Sequence, residues 1–388
     1  MDIHAEICRA IDQYKDQAVK LSHEIHEHPE MKFEERFAAE QLTGAASAMG
    51  LEVEKGVGGL ATAFRAEFGG RGPKIAILAE YDALPNGHSC GHNLIAGAAL
   101  SAVAGLNAVA RNLPGRIVFL GTPAEEGGGG KIILVDKGAL KGVDAAMMAH
   151  PMDAEWSTMP ALATRHVRLT FHGRAAHAAL APWDGFSALT AMLQTFQSVD
   201  AARLHFRDGS RIHGIITNGG QAVNIIPEKA ECQFLARGKT SKYVAEMAER
   251  VIRCAQGAAT ATGTTVEPHL VGGYKNMINN LSIAHRYSAH TESLGVRAVE
   301  APPDMPTGST DMGDVSHAMP AIHPIFAISR HGDGSCHEDA FVKHADQPHA
   351  YAQMIRVAKA LALTAYDLLA DPELLKAAKS EFEHRHES

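Results

Sequence analysis

Apolar positions along the chain change their spacing, and the changes sort it into elements. Residues 3–28 contain no strong breaker and carry spaced apolar side chains at Ile7, Ile11, Val19, Leu21 and Ile25, which predicts a helix. Residues 74–80, 116–120 and 145–149 are short, almost wholly apolar runs. Such runs suit strands covered on both faces. Helical stretches lie between them, notably at 94–112. Strands alternating with helices predict an α/β domain with a mostly parallel sheet and helices on both faces.

The middle of the chain has a different rhythm. Residues 166–172 alternate Val167, Leu169 and Phe171 with polar neighbours, which suits a half-buried strand. A helix is expected at 185–204, strands at 211–217 and 229–237, a helix at 241–258 and an extended segment at 265–274. The order is βαββαβ, a split βαβ unit of ferredoxin-like type. After about residue 280 the first pattern resumes. The predicted organisation is therefore one α/β domain built from residues 1–161 and 279–388, interrupted by an insert of residues 162–278.

Composition narrows the class. A chain of 388 residues is too long for one ordinary core and suits two domains. Its 46% hydrophobic and 21% charged residues are those of a globular protein. A net charge of -8 without any basic run gives no reason to expect nucleic acid. The N-terminus has early acidic residues and no apolar core, so it does not read as a secretory signal. The apolar runs are too short to span a bilayer. A cytoplasmic protein is expected. Five cysteines, widely spaced and without a CxxC pair, argue against a disulfide framework, so any functional cysteine is expected to act singly. Some of the 23 histidines lie in the C-terminal tail, where solvated surface is the natural reading.

Three groups of candidate ligands follow the apolar runs. The first is Tyr81-Asp82-Ala83-Leu84-Pro85 leading into Ser89-Cys90-Gly91-His92-Asn93, the second Thr122-Pro123-Ala124-Glu125-Glu126-Gly127, and the third His150-Pro151. Ligand crevices in α/β sheets open at the carboxyl ends of the strands, so the three could face one pocket. Thiolate and imidazole suit borderline or soft divalent metals. Taken alone, Cys90 and His92 fit a buried thiol beside a polar turn just as well. Glu125 and Glu126 would repel one another if buried together, unless a cation relieved the cost; a solvated loop is the plainer reading. The glycines at 127–130 do not form a phosphate loop, because no GK[ST] follows. His150 and His337, the latter in Ser335-Cys336-His337-Glu338-Asp339, are weak signals individually. No HExxH is present, which excludes a helix-borne zincin site. Cys90 as a thiol nucleophile would leave the paired glutamates unexplained.

Together these segments resemble the co-catalytic metallopeptidase family that includes aminoacylases, carboxypeptidase G and the hydrolases of indole-acetyl amino acids. The resemblance covers essentially the whole chain and is closest to the branch of p-aminobenzoyl-glutamate hydrolase and β-alanyl dipeptidases. Tyr81–Pro85, Cys90–Asn93, Pro123–Gly127, Gly308-Ser-Thr-Asp-Met-Gly-Asp-Val-Ser316 and Ile322-His-Pro324 carry it.

The resemblance implies a metal-dependent amidohydrolase of N-acyl, aminoacyl or aminobenzoyl amino acids or dipeptides. Its metal ligands would be Cys90, His92, Glu126, His150 and His337. Glu125 would be the general base toward a metal-activated water, and Asp82 the carboxylate that orients a ligand. His177 of the insert would reach the partner subunit's active site and help stabilise the developing oxyanion, and Asn224 would contact substrate, with turn capping within the insert as the alternative role of each. The cofactor would be one or two divalent ions, zinc or manganese in the first place, with cobalt or nickel also suited. The insert would act as lid and as homodimer interface, with hinges near 160–165 and 275–280. Two alternatives stand beside this reading: hydrolysis of another C–N bond, such as that of an aromatic amine, in the same site, and a non-catalytic metal-binding relative. Asn93 departs from the aspartate common in relatives, and His88 and Cys336 carry no assigned role.

Overall fold

The computed structural model describes residues 2–302, 305 and 308–385. The end of the histidine-bearing tail, from residue 386, lies outside the described residues. The chain forms two compact units. Among the described residues, one comprises 2–160, 277–302, 305 and 311–385, the other 161–276 and 308–310.

The first unit opens with β1 at Val53–Lys55, β2 at Phe64–Gly69, β3 at Lys74–Ala79, β4 at Arg116–Gly121, β5 at Ala145–Met147 and β6 at His150–Met152. After the second unit's four strands, β11 at Ala321–Ile322 and β12 at Ile325–Ala327 complete it. Six strands form one sheet in the order β1-β2-β4-β3-β5-β11. The pairs β4–β3, β3–β5 and β5–β11 are parallel, whereas β1–β2 and β2–β4 are antiparallel, so the sheet is mostly parallel. Ile75 to Leu78 and Ile117 to Leu120 are buried without alternation, as strands covered on both faces require. Helices Ile3–Glu27, His92–Ala108 and Pro348–Ala370 pack on one another and share the main core. Asp2 caps the first helix by accepting from the Ala5 amide.

Two local details differ from the sequence expectation and matter for the site. The helix expected from residue 94 begins at His92, because Gly91 turns the chain in the left-handed conformation, φ 68°. A Cβ there would sit 2.7 Å from Pro151, so Gly91 also permits close approach of the third ligand segment. His150 does not trail a strand. It opens β6, which pairs in parallel with β12, Ile325 opposite His150. The apolar run at 145–149 breaks after Met147, and the Met148 and His150 amides donate to the Ile322 and Pro324 carbonyls instead.

In the second unit, β7 spans Ala163–His172, β8 Arg211–Asn218, β9 Lys229–Gly238 and β10 Thr265–Leu270. They form an antiparallel sheet ordered β10-β7-β9-β8. Register sets Val167 opposite Phe234, Leu169 opposite Cys232 and Phe171 opposite Ala230, all buried. Fully burying one such large side chain contributes about 1.5–3 kcal/mol. Helices Ala188–Ala202 and Ser241–Thr262 pack against these strands. Their starts are fixed by Ser187 and Thr240, whose hydroxyls accept from the Thr190 and Tyr243 amides. Residues 308–310 join this unit: Gly308 accepts from the Leu162 amide, and Ser309 from Arg237.

Candidate metal centre

The turns that follow β3 and β4 bring the first two ligand segments together. Asp82 is the link between them. Its Oδ1 accepts from His92 Nδ1 at 3.2 Å, and its Oδ2 accepts from the Glu126 amide at 2.9 Å. The Asp82 carbonyl also takes the His92 Nδ1–H at 2.8 Å, leaving Nε2 as the donor atom. One buried carboxylate thus fixes the imidazole's orientation and the backbone of the glutamate beside it. Glu35, fully buried, secures the same turn from below. It accepts from the Ala124 amide at 2.8 Å and from the Thr62 hydroxyl at 2.8 Å. Ala124 needs such a clamp, since it holds φ 62°, which costs a non-glycine residue roughly 1–3 kcal/mol.

Candidate ligand atoms converge in overlapping groups. Those of Cys90, His92 and Glu126 lie within 4.8 Å of one another. So do those of Cys90, His150 and Cys336, and those of Glu80, His92 and His150. His150 donates Nδ1–H to the Pro151 carbonyl at 2.8 Å, so its Nε2 also serves as the donor atom. His337 stands at the rim with an exposed side chain, its Nε2 3.7 Å from Glu126 Oε1. Its backbone holds φ 77° and donates to the Ser89 carbonyl at 2.9 Å, which ties the loop to the Cys90 segment. Among the described residues, His337 belongs to none of the tight groups. Glu125 is buried in the same turn.

The expectation that any cysteine acts singly is corrected here. Cys90 and Cys336 are neighbours, and the hydrogen bond that the Cys90 thiol gives Cys336, with burial and Glu126 adding to it, pushes the Cys90 thiol far above its usual range. The long separation in sequence hides this, because only the fold closes it. Sequence reading also missed Glu80, Lys131, Asp311 and His323. Lys131 is completely buried and donates to Glu80 at 2.6 Å and Asp311 at 2.8 Å, while its amide donates to Asp311 at 2.9 Å. A lysine after four glycines reads as a helix start; only its two buried carboxylate partners reveal otherwise. Glu80 ends the first apolar run and Asp311 lies in the 308–316 motif, so both were visible but roleless.

The electrostatics favour a cation. Burial opposes charge on His92, yet Glu80 and Asp82 outweigh it and raise its pKa well above the usual value. The field that holds a proton there would hold a divalent ion. Burial and the neighbouring imidazoles keep His150 down at about 3, so it is neutral, the ligand form. Burial likewise puts His323 at about 4. Burial raises Glu80, but Lys131 and His92 prevail and keep it ionised. Glu125 is pushed well above the carboxylate range by burial and by Glu80, Asp311 and Glu126. Glu80 Oε1 and His92 Nε2 meet as a buried ion pair at 3.3 Å, while Glu126 Oε1 and His323 Nε2 are buried without a hydrogen-bond partner. Buried polar atoms rarely remain so. The side chains gathered here, carboxylate, imidazole and thiol, are of the kinds that hold a divalent metal.

In the second unit, His177 and Asn224 are neighbours: Ala178 donates to the Asn224 carbonyl at 3.0 Å, and His177 bridges to Ile225. His177 Nδ1 accepts from the Ala179 and Leu180 amides, both at 3.2 Å, which is the turn-capping role. It also fixes the tautomer, with Nε2–H left on a ring that is not buried. Asn93 follows His92 in the helix and is buried. Its amide binds Ser22 and the Ala345 carbonyl, joining helices.

Comparison with known proteins agrees with this arrangement. Residues 76–364 match peptidase family M20/M25/M40. The chain is 37% identical to the Xaa-Arg dipeptidase of Mus musculus, over 96% of this chain and 90% of that one. It is 29% identical to a p-aminobenzoyl-glutamate hydrolase chain of Escherichia coli K12, over 98% of this chain and 95% of that one. Two solved structures share the fold: a dinuclear metal binding M20 peptidase of Bacillus subtilis (TM-score 0.72, 20% identity, 92% and 99% covered) and an aminobenzoyl-glutamate utilization protein of Klebsiella pneumoniae (TM-score 0.71, 19%, 93% and 98%). The chain belongs to peptidase family M20/M25/M40, and is a metal-dependent hydrolase of amide or peptide bonds.

Proposed function

We propose that the protein is a dipeptidase or acyl-amino-acid hydrolase in which Cys90, His92, Glu126, His150 and His337 hold one or two divalent ions, zinc or manganese. The observation that carries this is the double use of Asp82, which fixes the His92 ring and the Glu126 backbone beside Cys90 in one group of candidate ligand atoms. A bound cation supplies Lewis-acid polarisation of the scissile carbonyl and lowers the pKa of water. Glu125 is the general base: it takes the proton of the attacking water and passes it to the leaving amine. Its raised pKa is the direction such a proton carrier needs. The His177 Nε2–H and the Asn224 side chain serve substrate, donating to the carbonyl oxygen and the carboxylate respectively.

The second unit is proposed as a ferredoxin-like lid and homodimer interface. The exposed edge strand β8, with Ile215 and Ile216 in solvent, supports pairing with a second copy. A reducing, cytoplasmic setting suits five unbridged cysteines, one of them a ligand. No helix among the described residues is long and apolar enough to cross a membrane. Similarity to an Xaa-Arg dipeptidase favours dipeptides over acyl-amino acids as substrate.

A hydrolysis panel on metal-reconstituted protein, comparing Xaa-Arg and β-alanyl dipeptides, aminobenzoyl-glutamate and N-acyl amino acids, tests the substrate class. Glu125→Gln is expected to keep its metal and lose about 10²–10⁴-fold in turnover. His337→Ala is expected to lose metal as well. Near-normal turnover in Glu125→Gln would remove the base assignment.

A further inference from the structure

Cys336 is the donor left unexplained by the five-ligand reading. It lies one residue before His337, in a loop pinned to the Cys90 segment by the His337 amide on the Ser89 carbonyl and by Asn86 on the His337 carbonyl at 3.3 Å. The left-handed turn at His337, φ 77°, sends consecutive side chains to different places. His337 goes to the rim beside Glu126, and Cys336 goes inward. There its sulfur lies within 4.8 Å of both Cys90 Sγ and a His150 ring nitrogen, and 3.9 Å from the Pro151 carbonyl that also takes the His150 Nδ1–H. Two sulfurs and one imidazole nitrogen thus lie within 4.8 Å of one another, and Cys90 and His150 are each shared with a second such group, Cys90-His92-Glu126 and Glu80-His92-His150.

We propose that Cys336 is a metal ligand, forming with Cys90 and His150 a two-thiolate, one-imidazole subsite selective for a thiophilic cation such as zinc. The proposal rests on the reading of Cys90 and His150 as ligands. It adds a donor and a consequence: the centre has a soft side, Cys90, Cys336 and His150, and a hard side, Glu126 and Glu80, with His92 between. Softness of the donors decides metal preference in such sites, and two thiolates move it from manganese toward zinc. Binding breaks both S–H bonds, forms two sulfur–metal bonds and releases two protons to solvent.

The test uses the full chain under reducing conditions. Metal-stripped protein is titrated with cobalt(II), and the near-ultraviolet thiolate-to-cobalt charge-transfer band is followed in wild type, Cys90→Ser, Cys336→Ser and the double variant. Each single variant is expected to lose about half of the band and the double variant all of it. Cys336→Ser is expected to weaken zinc by about tenfold or more while changing manganese far less. In unsubstituted protein, zinc is expected to slow iodoacetamide alkylation of Cys336 relative to Cys254, read by peptide mass, which holds even if a variant misfolds. A band lost in Cys90→Ser but unchanged in Cys336→Ser, with Cys336 alkylation indifferent to zinc, overturns the proposal alone. Cobalt binding with no band in wild type, or no cobalt binding at all, overturns both it and the ligand assignment of Cys90.

Discussion

The two units treat charge in opposite ways. Every Asp, Glu, Lys, Arg and His that is buried among the described residues belongs to the first unit: Glu35, Glu80, Asp82, His88, His92, Glu125, Lys131, His150, His290, Asp311, Asp314, His323, Arg356 and Asp367. The second unit buries only apolar side chains, cysteine and threonine. Burying an ionised group costs several kcal/mol even after relaxation, so such groups persist only when paired or when they serve a ligand. Conversely, most large apolar side chains left in solvent sit on the second unit, among them Leu180, Trp183, Leu204, Ile215 and Val223. The first unit tolerates interior charge where it is paired, as in His290 with Asp367 and Arg356 with Glu155, or where it lines the candidate metal centre. The second has an uncompromised core and carries its anomaly on the surface, where a partner rather than an ion would resolve it.

Removing the one buried lysine should break this contrast most severely. Lys131→Met leaves Glu80 and Asp311 facing one another without their cation, and is expected to destabilise the protein by about 3–5 kcal/mol. Lys229→Met, which removes an exposed ion pair with Glu231 in the second unit, should change stability by less than about 0.5 kcal/mol. Urea unfolding of both variants checks the pair. Adding Glu80→Gln and Asp311→Asn to Lys131→Met should recover much of the loss, since neutral partners no longer repel. If Lys131→Met unfolds like wild type, the triad is not a structural necessity and the comparison fails.

The apolar surface of the second unit gives a smaller effect. If the proposed homodimer pairs through the edge strand β8, Ile215→Lys should weaken self-association by about tenfold, equivalent to ~1.4 kcal/mol, while leaving thermal unfolding of the monomer unchanged. Sedimentation across a concentration series measures it. A dimer constant equal to wild type, or no self-association in either protein, would remove β8 as the proposed interface.

How far these features were legible in sequence depended on whether local pattern or tertiary closure created them. Alternation at Val167, Leu169 and Phe171 and unbroken apolar runs at β3 and β4 announced the strands, since burial on one or both faces leaves a periodic mark. Cys90, His92, Glu126 and Asp82 were visible because each follows a strand end in a short motif. Cys336 and Lys131 were opaque. A thiol beside a histidine and a lysine after glycines carry no signal until the chain brings Cys90 to one and Glu80 with Asp311 to the other. The start of the helix at His92 and of β6 at His150 were misjudged because a left-handed glycine and a strand broken after Met147 set them, not periodicity.

The mildest contrast lies within the first unit, between its buried charges and a charge at the sheet margin. Glu67, on β2, accepts from Arg116 at 2.7 Å and Lys74 at 2.9 Å on one oxygen, and from Arg65 at 2.5 Å on the other. Partial burial raises its pKa, but bonds from Arg116, Lys74 and Arg65 prevail and hold it at about 2. An unfolded glutamate titrates near ~4.3. The folded value is the lower one, so this carboxylate stabilises the fold above pH ~4.3 and loses that contribution as pH falls from there toward 2. Water still reaches the cluster, which limits the contribution to no more than about 1 kcal/mol. Glu67→Gln should therefore lower stability slightly at pH 7 and flatten its dependence on pH below about 4.3, read by urea midpoints between pH 3 and pH 7 at fixed ionic strength. If the acid slope of Glu67→Gln matched wild type, the acid sensitivity would belong to the interior carboxylates Asp82 and Asp367, whose values are also lowered, and the margin of the sheet would play no part in it.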